Sequence, residues 1–316
     1  MSSSYEAFLY MKSVKRRLFW WRFIALASFM GALGIWSVHS HPKSFDYKRP
    51  HIARLVIKGE IRSDVSKFIK ALKKAQDDTS VTGLLLVVDS PGGEVTGGVR
   101  LHNAIENFAH VKPVAVTMGS LGASAAYMLS APANHIVALP STLTGSIGVI
   151  LQRPDLSALL NSVGVNMAAI TSGKMKDQTD FTTHLTPEGH AMLQGLVNDL
   201  FDQFVEMVAR GRHMSESQVR SLADGRAYTG RQALSLGLID ELGDEDQARL
   251  WLKNKLKITQ DDYPFVDLEI KKKSYWNNFV FSKSFLGIIL GEDIWDGVER
   301  SLLQNSLDGA VSILQF

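Results

Sequence analysis

Apolar and polar positions change their spacing twice along the chain, and each change predicts a different kind of structure. From about 52 to 171, short apolar runs alternate with segments whose apolar residues fall at helical spacing. This alternation predicts a layered α/β fold with parallel strands and right-handed crossovers. From 187 to about 256 the spacing is mainly helical. Beyond 270, charged and apolar clusters predict a C-terminal helical extension over 271–316, packed on the domain or on a neighbouring subunit. A second membrane contact is the alternative, although the apolar run at 285–290 is far too short to cross a bilayer.

The apolar runs predict strands, and the segments of helical spacing predict helices. The predicted strands cover 52–57, 84–88, 114–118, 136–139, 166–171 and 266–270. The predicted helices cover 65–75, 99–108, 125–129, 156–163, 187–210, 215–222, 230–236 and 244–256. The run at 84–88 lacks polar alternation, which is typical of a strand buried on both faces of a parallel sheet. At the start of the long helix, Thr186 is a predicted cap and Pro187 a first-turn proline.

An apolar segment at 18–38 precedes this region and predicts a membrane anchor. Its 21 residues read LFWWRFIALASFMGALGIWSV. About 20 residues suffice for a helix that crosses the bilayer, provided that Arg22 extends its charge toward the headgroups. Trp20 and Trp36 lie near the ends, as interfacial aromatic residues do. A cleaved signal peptide is the alternative, but HSHP at 39–42 matches a cleavage site poorly.

The basic residues on the two sides of this segment predict its orientation, although their numbers differ only slightly. Four basic residues between 12 and 17 precede it, and three between 43 and 49 follow it. The bias places 1–17 in the cytoplasm. A tether at 39–50 would then connect the anchor to a large domain outside the cytoplasm.

Composition excludes several classes of function. The 316 residues are 45% hydrophobic, which is enough to bury a sizeable core. Because the chain has no cysteine, it has no disulfide, no thiolate metal site and no cysteine nucleophile. The 34 Lys and Arg residues nearly balance the 32 Asp and Glu residues, which gives no electrostatic case for binding nucleic acid. We expect no cofactor and no metal.

One serine stands in a setting that is typical of a nucleophile. Ser124 lies in MGSLGASAAY at 118–127, directly after a predicted strand and among small residues. Small neighbours allow a sharp turn and a close approach of substrate. The apolar residues that follow could form a helix, whose N-terminal N–H groups favour developing negative charge. Ser124 is therefore the candidate nucleophile, and it needs a base.

Histidine is the familiar base for such a serine, but no histidine is singled out by the sequence. The nine histidines are at 39, 41, 51, 102, 110, 135, 184, 190 and 213. We expect His102 and His110 to face solvent on the helix that follows the SPGG turn. None of the nine stands in a turn or among small residues in a way that indicates a site, although none is excluded.

Lysine is the other candidate base. It must be neutral to act, so its pKa must fall through desolvation or a nearby cation. Lys174 and Lys176 lie in SGKMKD at 172–177, after a predicted strand end. In an extended chain they point the same way, so each disfavours the charge of the other. Two lysines in a loop are usually just solvated, and the residues alone do not choose between them.

Two glycine turns are candidate sources of backbone donors for an oxyanion. SPGG at 90–93 follows the buried strand, and TGSIG at 144–148 follows another apolar strand. Each turn by itself is a common connection between a strand and a helix. Together with the turn at Ser124, they could meet at one edge of the sheet, where α/β folds bind ligands.

Five ordered motifs make the chain similar to a known family. They are DSPGG at 89–93, MGSLGASAAY at 118–127, LTGSIGV at 143–149, SGKMKD at 172–177 and DGRAYTGRQA at 224–233. They resemble signal peptide peptidase A, a family of membrane-bound Ser–Lys serine peptidases of the S49 type on a ClpP/crotonase-like fold. The resemblance runs from about 52 to 243, which implies a peptidase domain at 51–270, and does not cover the extension.

The resemblance implies a role for each candidate residue. Ser124 matches the nucleophile of the family, and Lys176 rather than Lys174 matches the general base. Ser146 corresponds to a serine that orients the lysine. The SPGG turn corresponds to the source of an oxyanion donor, through the N–H of Gly93.

An assembly, a substrate class and a location are also implied by the resemblance. Single-length members form bowl-shaped oligomers in which adjacent subunits supply the serine and the lysine of each site. Their substrates are peptides, such as leftover signal peptides cut within apolar segments. The implied location is the bacterial inner membrane, with the peptidase domain on the periplasmic or extracytoplasmic side. The family often has glycines where this chain has Ala125 and Ala126, and this departure could narrow the pocket.

Two hypotheses of other classes are weighed against a peptidase. A catalytically silent scaffold or regulator on the same fold would have no need of Ser124, Lys176 and the glycine turns. An acyl-CoA enzyme of the crotonase type would use a similar oxyanion site without a serine nucleophile. The predicted anchor and the setting of Ser124 favour the membrane-anchored serine endopeptidase.

Overall fold

The computed structural model describes most of the large domain and four residues of the predicted anchor. The described residues are Trp21, Ile24, Ser28, Gly31, 49–268 and Ile270. The chain divides into two compact units, Met1–Pro50 and His51–Phe316. The predicted N-terminal segment at 1–17 and the predicted extension at 271–316 lie outside the described residues.

In the first unit, Trp21, Ile24, Ser28 and Gly31 are helical. The rest of the predicted anchor at 18–38 lies outside the described residues, as does most of the tether at 39–50. Among the residues that the structure describes, no helix is both long enough and apolar enough to cross a membrane. The anchor therefore stays a prediction.

An eight-stranded sheet lies at the centre of the described part of the second unit. Its strands are β1 (His51–Lys58), β2 (Val81–Ser90), β3 (Val114–Ala123), β4 (His135–Ala138), β5 (Leu143–Gly145), β6 (Ala227–Thr229), β7 (Glu241–Leu242) and β8 (Phe265–Asp267). The order is β6-β5-β3-β2-β1-β8, and β4 pairs with β3 and β7. The pairs are parallel except β5 with β6, which is antiparallel. The predicted α/β fold is confirmed, with an antiparallel edge.

Helices lie between the strands along the chain. They are α1 (Ser66–Asp77), α2 (Val95–Ala109), α3 (Ala125–Ser130), α4 (Ser157–Ser162), α5 (Pro187–Arg212), α6 (Glu216–Leu222), α7 (Gly230–Ser235) and α8 (Glu245–Lys255). The long helix α5 begins where the sequence predicts, because the Thr186 hydroxyl accepts a hydrogen bond from the N–H of Gly189 and Pro187 occupies the first turn. It ends before His213, which adopts a left-handed φ of 54°.

The sheet is buried on both faces, which explains the unbroken apolar run in β2. Leu84 and Leu86 belong to a large core that also contains side chains of α1, α2 and α3. Leu85 lies in a second core with Ala248 and Leu252 of α8. Successive side chains of a strand point to opposite faces, so each of these positions must be apolar. The prediction of a buried strand at 84–88 is confirmed, although the strand is longer.

The structure differs from the predicted strands at several places. No strand forms at 166–171, where every residue is exposed. The strands β5, β6 and β7 were not predicted, because each has only two or three residues and so carries too little alternation to detect. β5 matters most for function, because it connects the turn at 144–148 to the end of β3.

His102 is buried, contrary to the expectation that it faces solvent. It is fully buried on α2 with Leu101 and Ile105, so its position belongs to the apolar stripe and not to the polar face. Its Nδ1 lies 2.8 Å from the main-chain oxygen of Met128 in α3. Its Nε2 has no hydrogen-bond partner among the residues that the structure describes, and it lies 3.9 Å from a carboxylate oxygen of Glu106.

This buried imidazole predicts acid sensitivity of the fold. Burial lowers the pKa of His102 below its ordinary value of 6.5, against smaller opposing effects from the Met128 carbonyl and Glu106, and Arg210 lowers it further. The unfolded chain therefore binds the proton more readily. The free energy of unfolding should be unaffected by this group above about pH 6.5 and should fall below it, by up to about 1.4 kcal/mol per pH unit, until the lowered pKa is reached.

Urea unfolding at several pH values between about 5 and 7.5 measures this dependence. The control is His102→Asn, which can keep an N–H near the Met128 carbonyl and cannot titrate. Its unfolding free energy should change less with pH than that of the wild type. Identical pH profiles for the two proteins would contradict the assignment to His102.

Candidate active site

Ser124 occupies a strained backbone position between β3 and α3. Its φ is 55° and its ψ is −125°, a conformation that costs a residue with a side chain about 1–3 kcal/mol. Two hydrogen bonds hold it there. Its N–H donates to the oxygen of Gly145 at 2.8 Å, and its own oxygen accepts from the N–H of Met128 at 2.9 Å. The Ser124 hydroxyl makes no hydrogen bond to any described residue, so it is not engaged in holding the turn.

The SPGG turn lies directly against Ser124. A Cβ on Gly92 would come within 2.7 Å of the Ser124 Cβ and 2.9 Å of the Ala125 nitrogen. The buried hydroxyl of Ser90 accepts a hydrogen bond from the Gly92 N–H at 3.1 Å and so fixes the turn. Gly92 also has a φ of 104°, so both its conformation and its close approach to the serine require glycine.

Gly93 is fixed by the segment that follows β1. The Ile61 N–H donates to Gly92 and the Ile61 oxygen accepts from Glu94, each at 2.8 Å. A Cβ on Gly93 would lie 2.1 Å from the Ile61 oxygen, so only glycine fits. The N–H of Gly93 has no hydrogen-bond partner among the described residues. It is therefore available as a donor beside the serine.

A second available donor is the N–H of Ala125. Ala125 is the first residue of α3, where N–H groups lack partners within the helix, and no described residue accepts from it. The N–H of Ser124 itself is committed to Gly145. The sequence pattern indicated donors at the glycine turns and did not single out Ala125. The signal was present, because the residue after a serine that caps a helix carries the first unpaired N–H.

The close contact between Gly92 and Ser124 can be tested by substitution. Gly92→Ala should lower kcat/KM for peptide cleavage by at least about 100-fold, because a displacement of the serine of about 1 Å is enough for such a loss. The matched control is Gly59→Ala, which also has a positive φ, 75°, but would meet nothing within 4 Å. Gly59→Ala should keep its activity despite a similar backbone strain. Equal losses in the two variants would show that strain, and not contact with Ser124, is responsible.

Ser146 is brought to the same edge by β5. Gly122 and Ala123 of β3 pair with Thr144 and Gly145 of β5, so Ser146 directly follows the residue that bonds to Ser124. Its φ is 47°, and its hydroxyl donates to the oxygen of Gly225 at 3.2 Å. The three turns thus meet at the carboxyl ends of β2, β3 and β5. No hydrogen bond between described residues joins the hydroxyls of Ser124 and Ser146.

The two candidate lysines lie on an exposed loop. Lys174 and Lys176 are both exposed, within a series of turns at 172–179. The Lys176 N–H donates to Gly173 at 3.0 Å. Within the described part of the chain, neither ammonium group forms a hydrogen bond or an ion pair. The structure of one chain therefore brings Ser124, Ser146 and Gly93 to one edge, and it forms no bond from that edge to Lys176.

The histidines with clear partners are engaged elsewhere. The Nε2 of His135 lies 2.9 Å from a carboxylate oxygen of Glu241. The His135 ring stacks on Trp251, with the ring centroids 4.8 Å apart. His184 lies 2.9 Å from Asp155. Since the Ser124 hydroxyl has no described partner, no described histidine is paired with it.

Two solved structures match this chain with low sequence identity. A ClpP1 mutant from Listeria monocytogenes has a TM-score of 0.41 and 16% identity, and the match covers 60% of this chain and 91% of that one. A mutant of a membrane-bound stomatin-specific protease has a TM-score of 0.44 and 17% identity, covering 71% of this chain and 95% of that one.

Sequence comparison gives stronger similarities. A model described as Peptidase family S49 matches residues 106–259. A protein named as a candidate protease in Synechocystis sp. is 39% identical over 203 residues, 64% of this chain and 73% of that protein. Another in Methanocaldococcus jannaschii is 34% identical over 256 residues, 80% and 79% of the two chains. A protein named as a candidate signal peptide peptidase SppA in Enterococcus faecium is 34% identical over 235 residues, 74% and 65%.

These similarities agree with the site described above. The family match includes the strained serine, the turn with Ser146 and the loop with the two lysines. Relatives matched over most of their length at more than 30% identity extend the similarity to the surrounding fold. The chain belongs to peptidase family S49, as a serine peptidase of the SppA type.

Proposed function

We propose that this chain is a membrane-anchored endopeptidase in which Ser124 is the nucleophile and Lys176 the general base. The observation that carries the proposal is the backbone at Ser124. The hydroxyl is free, the turn is strained, and Gly92 lies against it. The unpaired N–H groups of Gly93 and Ala125 adjoin the same turn, as an oxyanion site requires.

The reaction follows from these groups. Ser124 Oγ attacks the carbonyl carbon of a peptide bond and gives its proton to the neutral amine of Lys176. The oxyanion accepts hydrogen bonds from the N–H groups of Gly93 and Ala125. The C–N bond then breaks, and the Lys176 ammonium returns the proton to the leaving amine. Water, deprotonated by Lys176, attacks the acyl-enzyme and releases the second product with Ser124 restored.

We propose that Lys176 reaches the serine of a second copy of the chain. A neutral amine needs a desolvated setting, and Lys176 is exposed in a single chain. We call residues 150–185 the arm. Large apolar side chains exposed on it are Ile150, Leu151, Leu156, Leu159, Val163, Val165, Met167, Ile170, Met175 and Phe181. So large an apolar surface is typical of an interaction site, and covering it would also desolvate Lys176.

Ser146 would orient the lysine in this assembly. Its weak bond to Gly225, at 3.2 Å, can be exchanged for a bond to an incoming amine. Its positive φ and the bond of its N–H to Arg226 at 3.0 Å keep the hydroxyl at the edge that carries Ser124. This role rests on the resemblance, and the position of Ser146 beside the Ser124 turn supports it.

The proposed substrates are apolar peptides such as leftover signal peptides. The support is the similarity to a protein named as a candidate signal peptide peptidase, together with the apolar pattern at 18–38. An anchor there would hold the domain beside peptides that remain in a membrane. We place the protein in a bacterial inner membrane, with 1–17 in the cytoplasm and the peptidase domain on the extracytoplasmic side.

A covalent label separates this proposal from a silent scaffold on the same fold. Full-length protein purified in detergent is treated with a serine-reactive fluorophosphonate, and the modified residue is located by mass spectrometry. We expect modification at Ser124 in the folded protein and its loss after denaturation. An unmodified Ser124 in a folded protein that also fails to cleave apolar peptides would favour the scaffold.

A further inference from the structure

One arginine binds the main chain of the segment that follows the candidate lysine. Arg153 Nε donates to the oxygen of Gln178 at 2.9 Å, and its terminal nitrogen donates to the oxygens of Asp180 and Thr183. Its side chain is partly buried, and all of these bonds go to main-chain carbonyls. An arginine has five N–H donors in a rigid fork, so one side chain can fix three successive parts of an irregular segment.

Two further contacts join the same segments. The N–H of Leu156 donates to the oxygen of Phe181 at 2.8 Å. A carboxylate oxygen of Asp155 lies 2.9 Å from Nδ1 of His184. The beginning of the arm, at 153–156, is therefore held against 178–184. We call this set of contacts the Arg153 clamp.

The clamp is connected to the lysine loop through Gln178. The main chain of Gln178 is bound by Arg153, and its side-chain nitrogen donates to the oxygen of Lys174 at 2.9 Å. Its side-chain oxygen accepts from the Thr186 hydroxyl at 3.0 Å. A Cβ on Gly189 would lie 1.8 Å from that oxygen, so Gln178 sits tightly against the first turn of α5. The loop from 174 to 178 is thus fixed at its carboxyl end.

We propose that Arg153 is a positioning residue for the base of the reaction. The proposal rests on the proposed function for the role of Lys176, which lies two residues before Gln178. The loop has no strand or helix of its own, so the place of its amine depends on these side-chain bonds. In the described part of the chain, Arg153 donates to main-chain oxygens of 178–183 and forms no hydrogen bond with Ser124. It acts by holding the loop in the one shape from which Lys176 reaches its partner.

The kinetic test uses Arg153→Lys and Arg153→Gln in the full-length protein. A lysine keeps the charge but replaces the fork by one amine, so it can hold only part of the segment. We expect kcat to fall by about 10-fold in Arg153→Lys and about 100-fold in Arg153→Gln, with KM within about 3-fold of the wild type. A loss confined to KM, or no loss in either variant, would overturn the proposal.

A second readout does not depend on activity. In a Ser124→Ala background, which prevents self-cleavage, trypsin cleavage after Lys174 and Lys176 is followed by mass spectrometry. Arg153→Gln should accelerate both cleavages at least about 10-fold, because cleavage of a held loop follows the population of its open form. The control is Arg220→Gln, which removes an exposed arginine bonded to Asp202 and should leave these rates unchanged. Equal rates in the two variants would overturn the proposal.

The two readouts separate failure of this inference from failure of the proposed function. If Lys176→Ala keeps its activity, the proposed base is wrong, and the role of Arg153 as a positioning residue is overturned with it even where proteolysis is accelerated. If Lys176→Ala is inactive while Arg153→Gln behaves like wild type, the function stands and the inference fails. If Arg153→Gln unfolds globally, both measurements are made on Gln178→Ala instead. We expect this variant to show the same loss of kcat and the same faster cleavage by trypsin.

Discussion

Ser124→Ala is expected to abolish peptide cleavage, lowering kcat by roughly 10⁴-fold or more. Without the hydroxyl no acyl-enzyme can form, and the remaining N–H donors of Gly93 and Ala125 can only bind the substrate carbonyl. Removal of the hydroxyl leaves the bond of the Ser124 N–H to Gly145 intact, so the fold should be retained. The measurement is single-turnover cleavage of an apolar peptide with fluorescent ends by the full-length protein.

Ser120→Ala is the matched control for this prediction. Ser120 lies on the same strand, β3, and is exposed, so its removal should leave kcat and thermal stability unchanged. Wild-type activity in Ser124→Ala, with the control unchanged, would exclude Ser124 as the nucleophile.

Lys176→Arg is expected to be nearly as inactive as Lys176→Ala, with kcat lowered by about 10³-fold or more. Arginine keeps the positive charge and the length of the side chain but cannot be deprotonated in a protein, so it cannot accept the serine proton. A role for Lys176 in binding an acidic group would instead be preserved in this variant. The two variants together therefore separate a base from a fixed charge.

Lys174→Arg is the control for the lysine prediction. Lys174 lies in the same exposed loop, where Gln178 donates a hydrogen bond to its main-chain oxygen. We expect this variant to cleave at close to the wild-type rate. Activity lost in Lys174→Arg and kept in Lys176→Arg would exchange the roles of the two lysines. This test is needed because the choice of Lys176 rests on the resemblance.

Much of the fold could be predicted from local pattern. The run at 84–88 indicated a strand buried on both faces, and Thr186 with Pro187 indicated the start of α5. In both cases the deciding information lies within a few residues. His102 was misjudged because a polar side chain can occupy an apolar stripe when a main-chain oxygen, here that of Met128, accepts its hydrogen bond.

The candidate site was predictable in part. Glycines and small residues marked the turns that meet at Ser124. The strand β5 was too short to be predicted, so the sequence did not show how Ser146 is brought to these turns. Ala125 was missed as a donor because its place after a helix-capping serine marks it, and not its residue type. The strand predicted at 166–171 failed for a different reason. Its apolar residues lie exposed on the arm, where we propose that a second copy of the chain covers them.

The central claim is that the Ser124 of one copy and the Lys176 of another form one site. Ser124→Ala and Lys176→Ala proteins, each inactive, are mixed in equal amounts and allowed to exchange subunits. If the site is shared, random assembly should restore about a quarter of the wild-type activity, since one junction in four joins two intact residues. Mixed oligomers that form and remain inactive would contradict the claim, because a dyad within one chain is broken in every subunit.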